Sequence, residues 1–143
     1  MTDHKKKSFS AKHGNGLHPD NQVSAEIKAH VIKNRLSCTA AFSIAKKLNV
    51  TPAEVGKTTD LLNYKLVECQ LGLFGYPSGK TVEPLESVEA ELADAIRAGL
   101  ENGYLACKSA WSLADHFNIS RRSVSDACEA LKIKIKPCQL GAF

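Results

Sequence analysis

Ala110-Trp111-Ser112-Leu113-Ala114-Asp115-His116-Phe117-Asn118-Ile119-Ser120-Arg121-Arg122-Ser123-Val124-Ser125-Asp126-Ala127-Cys128-Glu129-Ala130-Leu131 reads as two short helices around a tight turn, the second opening with two arginines. Leu113, Ala114 and Phe117 fall at i, i+1 and i+4, which puts them on one face of the first helix. Asn118 stands where the chain must turn sharply, and asparagine enters the left-handed region more readily than most residues with a Cβ. Ile119 packs from the turn. Ser120 is placed to cap the second helix, whose inner face is Val124, Ala127 and Leu131. Ala114 is the most discriminating position, because only a very small side chain lets the two helices cross so closely.

The same design stands 69 residues earlier. Leu36–Phe74 lies over Leu105–Phe143 without a gap, and 14 of those 39 positions are identical. Chance would give roughly two or three, so the chain carries an internal duplication. Ile44, Ala45, Leu48, Val50 and Val55 answer to Leu113, Ala114, Phe117, Ile119 and Val124, and asparagine occupies both turns. A first helix with Val23, Ile27 and Val31 on one face precedes the first copy. Val88, Leu92, Ile96 and Leu100, with Ser87 as a candidate cap, precede the second. The expected fold is mainly α: two tandem three-helix helix-turn-helix repeats, each followed by a short extended segment or β-strand. The extended segments, Tyr64–Val67 and Lys132–Lys136, are candidates to pair with each other.

The boundaries follow from composition. Residues 1–18 have no apolar period, hold two glycines and four lysines, and read as a basic flexible arm. Repeat 1 spans 19–72. Residues 73–86, rich in glycine and proline, read as a linker. Repeat 2 spans 87–143. Of the net charge of +4, residues 1–19 supply +3 and 20–76 supply +2, while 77–87 come to −1 and 88–143 balance seven basic against seven acidic groups. No apolar run approaches the ~20 residues of a membrane span, and the lysine-rich start is not that of a secretory signal. The expectation is a cytoplasmic protein.

Each copy resembles the DNA-binding helix-turn-helix of bacterial-type transcriptional regulators over about 20 residues. The resemblance implies that the third helix of one or both repeats lies in the major groove, reading sequence in double-stranded DNA to regulate transcription. The residues it would present are Ser120, Arg121, Arg122 and Ser125 in repeat 2. Arginine can bond guanine bidentately, and serines suit phosphate oxygens. In repeat 1 the outward positions are Thr51, Pro52, Ala53, Glu54, Gly56, Lys57 and Asp60. Thr51 and Lys57 suit DNA but Glu54 and Asp60 would repel phosphates, so repeat 2 is the expected stronger reader and repeat 1 a weak one or a protein-contact surface. Lys5, Lys6 and Lys7 of the arm would lie along the backbone or in a minor groove.

Two other readings stand beside this one. The motif also serves as a scaffold for protein contacts, in a homodimer or with another protein. Cys38, Cys69, Cys107 and Cys138 recur in register, so four thiols from two pseudo-symmetric halves could form a metal or redox site. Their spacing of about 31 residues is no metal-ligand signature, and cysteine is often a small core residue. Cys128 has no counterpart and reads as core, as does His30 beside the inner face of the first helix. The segment Cys-Gln-Leu-Gly-x-Phe, at 69–74 and 138–143, is expected to close each small core. No nucleophile–base pair, phosphate loop or paired carboxylates stand out, so neither an enzyme nor a cofactor is expected.

Overall fold

Side-chain caps and left-handed asparagines set the helix boundaries. The Oγ of Ser37 accepts from the Ala40 N–H at 3.1 Å, Thr51 Oγ1 from Glu54 at 3.1 Å, and Ser120 Oγ from Ser123 at 3.0 Å. Each satisfies an amide that has no partner within its helix. The computed structural model describes residues 21–143. It divides into a first unit ending at Val67 and a second running from Glu68 to Phe143. The arm at 1–18, with Lys5, Lys6 and Lys7, lies outside the described residues.

The first unit contains α1 (Asn21–His30), β1 (Arg35–Ser37), α2 (Cys38–Leu48), α3 (Pro52–Leu61) and β2 (Lys65–Val67). The second contains α4 (Ala90–Ala98), α5 (Cys107–Phe117) and α6 (Arg121–Ala130). The described residues are thus mainly helical, with one small parallel sheet. None of their helices is long and apolar enough to cross a membrane.

An offset of 69 carries α2 onto α5 and α3 onto α6 end to end, and the backbone repeats with the sequence. Asn49 and Asn118 both take φ 55 and ψ 46. Leu62 and Leu131 end α3 and α6 at φ −85 and −84. Val50 N–H donates to the Ala45 carbonyl, and Ile119 N–H to that of Ala114, both at 3.0 Å. Ala45 and Ala114, placed for close helix approach, are buried. Ser87 does not cap the fourth helix; that position belongs to Glu89, whose side chain makes no cap bond.

The extended segments do not pair with each other. β1 and β2 pair in parallel with Leu36 opposite Leu66, and the second unit repeats this as a parallel bridge between Leu105 and Ile135. Each extended segment therefore pairs with the residues just before the second helix of its own copy. That arrangement buries Leu36 and Leu66 in one unit and Leu105 and Ile135 in the other, which one alternating segment considered alone cannot reveal.

The first unit buries Val23, Ile27, Leu36, Ile44, Val55 and Leu66. The core of the second joins Leu71, Leu92, Ile96, Leu105, Ala110, Ala114, Val124, Ala127 and Cys128. Leu71 belongs to the tail of repeat 1, so the boundary falls after Val67 and not at residue 72. Residues 73–86 are not a free linker: Thr81 N–H donates to the Gly72 carbonyl at 2.8 Å, Val82 is buried, and Glu83 and Leu85 bond to α6. Both Cys-Gln-Leu-Gly-x-Phe segments lie in the second unit, closing one core between them. The Cys69 N–H donates to the Phe74 carbonyl at 3.1 Å and Cys138 to Phe143 at 2.8 Å, and the two phenyl rings meet edge to face at 5.7 Å.

Candidate nucleic-acid interface

The start of α6 is built as expected, but its outward face is not open. Ser120 is exposed; its Oγ caps the Ser123 N–H and lies 2.8 Å from Ser123 Oγ. The Arg121 guanidinium lies 3.6 Å from the centroid of the Trp111 ring, and its Nη1 donates to Gln70 Oε1. Stacking on one neighbour while bonded to another occupies the fork that would read a base edge. Arg122 remains exposed, its Nε 4.0 Å from Asp126 Oδ2, and its aliphatic stem runs over Gly72.

Ser125 corrects the expectation more sharply. It is only 1 % exposed, and its hydroxyl has no hydrogen-bond partner among the described residues. Its side chain is therefore not presented at the surface of α6. The chain between Gln70 and Leu85 crosses this side of α6. Glu83 N–H donates to Asp126 Oδ1 at 3.0 Å, Leu85 N–H to the Asp126 carbonyl at 3.4 Å, and Lys80 Nζ sits 3.3 Å from Glu129 Oε2. Nothing in the period of α6 itself announces chain laid over it.

The equivalent helix of the first unit also departs from its wheel. Gly56 and Asp60, expected to face outward, are buried with Val55, Thr58 and Thr59. Gly56 and Ser125 occupy equivalent positions. A small residue stands there in both copies, and both are buried. Thr51 is exposed and serves as the cap of α3, and Lys57 is half-buried. Lys46 and Lys47 are exposed at the end of α2, with Lys47 Nζ 2.9 Å from Glu26 Oε2. His30 is exposed, not packed, with Nδ1 2.8 Å from the Glu26 carbonyl.

Charge separates the units more than α3 and α6 do. Residues 21–67 carry seven Lys and Arg against three Asp and Glu, while 68–143 carry eight against ten. The first unit thus carries a surplus of four positive charges over residues 21–67, and the second a deficit of two.

All five cysteines are free thiols, and only Cys138 is not buried. Burial pushes the Cys69 thiol up, against partial relief from the Leu73 and Leu71 amides. Burial likewise raises Cys107, whose sulfur accepts from Gln139 Nε2 at 3.4 Å. Cys128 is pushed up to about 12, first by burial and then by nearby Glu129. Thiols held protonated in this way are poor nucleophiles and poor ligands. Among the described residues no group of three or more His, Cys, Asp and Glu side chains is arranged to hold a metal ion. Gln70, Trp111 and Gly72, which position the two arginines, were not singled out from sequence; the only hint was the repetition of Gln and Gly in both tails. No family model matches the chain, and no curated protein or solved structure proves similar to it.

Proposed function

We propose that this protein binds duplex DNA through two copies of the helix-turn-helix, as a sequence-specific regulator of transcription, and that the first unit makes the principal contact. The observation carrying the reading is the duplicated α2–Asn49–α3 and α5–Asn118–α6 geometry, with left-handed asparagine, hydroxyl cap and buried alanine in both copies. The charge surplus of the first unit supports assigning it the contact, through Thr51 and Lys57 of α3 and exposed Lys46. Arg122 and Ser120 remain the accessible positions at the start of α6.

The test is anisotropy of labelled random and genomic duplexes over a salt series. Phosphate contacts make log affinity fall with log salt by about 0.9 per contact. Lys46→Ala with Lys57→Ala is expected to reduce that slope by about 2. A wild-type protein that binds no duplex at low salt would sink the reading.

A second reading applies to the second unit. Its α6 is covered by the 70–85 strap and its charge is negative, which favours a protein-contact role for that half. Under this reading, DNA affinity survives Arg122→Ala while association with a protein partner or a second copy is lost.

A further inference from the structure

The turn between α1 and β1 in the first unit sets an exposed isoleucine beside cations. Ile32 and Arg35 exchange both backbone hydrogen bonds at 3.0 Å, and the two residues between them, Lys33 and Asn34, have positive φ of 51 and 63. This is the mirror-type turn of tight hairpins. Ile32 is 73 % exposed, the most exposed of the large hydrophobics among the described residues. Around it Lys28, Lys33 and Arg35 are exposed, and Arg35 stands opposite exposed Lys65 in the β1–β2 register. The nearest acid in sequence, Glu26, is engaged by Lys47.

Backbone demands do not account for these side chains. The matching turn of the second unit, Glu101–Tyr104, makes the same pair of bonds at 2.8 and 3.0 Å, with positive φ at Asn102 and Gly103. Asn-Gly is the favoured pair for that turn, whereas lysine at a left-handed position is disfavoured. The first copy thus keeps a less favourable turn and displays on it an isoleucine and two cations where the second has Glu101, Asn102 and Tyr104.

We propose that the Ile32 turn is a minor-groove contact, with Lys33, Arg35 and Lys65 on the flanking phosphates and Ile32 wedged against a base step. Minor-groove proteins use such apolar wedges, framed by cations, to unstack and kink the duplex. α2, whose 11 residues span about 16 Å, stands between this turn and the Asn49 turn that leads into α3; adjacent major- and minor-groove contacts lie about half of a ~34 Å helical turn apart. This inference rests on the DNA reading above and adds a second point of contact to it.

The experiment uses the full chain on a 30-base-pair duplex with dyes at its ends, measuring affinity against salt and end-to-end distance together. Ile32→Ser is expected to abolish the protein-induced shortening while leaving the salt slope unchanged. Lys33→Asn with Arg35→Tyr, residues that this turn already accepts in the second unit, is expected to lower the slope by about 2. Circular dichroism of each variant confirms the fold. Wild-type binding whose bend and slope are indifferent to these changes overturns the wedge but leaves the DNA reading intact. Absence of any duplex binding overturns both, as does binding of phosphatidylserine vesicles in place of DNA.

Discussion

Gly72 and Gly141 are the same residue in two copies of one turn, yet they should respond very differently to Gly→Ala. Both are left-handed, at φ +77 and +81. An alanine there costs about 1–2 kcal/mol in backbone energy, reduced by about 0.4–1 kcal/mol through the stiffer unfolded chain. Nothing lies within 4 Å of a Cβ added to Gly141. At Gly72 the Cβ would sit 2.6 Å from Thr81 Oγ1 and 3.1 Å from Arg122 Cγ. Overpacking of that kind adds about 1–3 kcal/mol. Gly72→Ala should therefore destabilise the second unit by about 1–3 kcal/mol more than Gly141→Ala. The protein has a single tryptophan, Trp111 in that unit, so its fluorescence in urea reports the relevant transition. With m near 1–3 kcal/mol per molar, the midpoints should differ by about 1 M at unchanged slope. Adding Thr81→Ala to Gly72→Ala should recover part of the loss as a positive coupling in a double-mutant cycle. Equal destabilisation by the two alanines, or no rescue, would refute the packing of the strap against α6.

Three further outcomes follow from the same contacts. Arg121→Ala should red-shift Trp111 emission and cost about 1 kcal/mol of stability, with Arg121→Lys failing to restore it, since lysine lacks the planar fork; unchanged emission would remove the stack. Ser125→Ala should be neutral or stabilising by up to about 1 kcal/mol in urea unfolding, because it deletes a buried hydroxyl without a partner; a drop in DNA affinity instead would restore Ser125 to the interface. The raised Cys128 thiol means that the unfolded chain releases its proton first as pH rises. Stability is therefore full below about 9.0, the ordinary value, and is lost progressively towards about 12. Cys128→Ala should flatten this part of the stability profile, and an unaltered profile would contradict the burial of that thiol.

The sequence by itself determined the repeat, the helix pairs and their turns. Each of these is local: alanine at 45 and 114, asparagine at 49 and 118 and hydroxyl caps at 51 and 120 act within a few residues of themselves. Their physics is therefore written in short spacings that a reader of one strand of text can recover. What the helices face was decided only by tertiary structure. Ser125 is buried in the folded unit, residues 80–85 arrive from another part of the chain to bond Asp126 and Glu129, and Trp111 and Gln70 engage Arg121. The pairing of Leu36 with Leu66 was equally hidden, because a three-residue strand carries too little alternation to name its partner. The period of α6 describes a helix in water. In the fold, chain from 80–85 bonds part of its surface, and burial, not period, then sets which of its side chains are available.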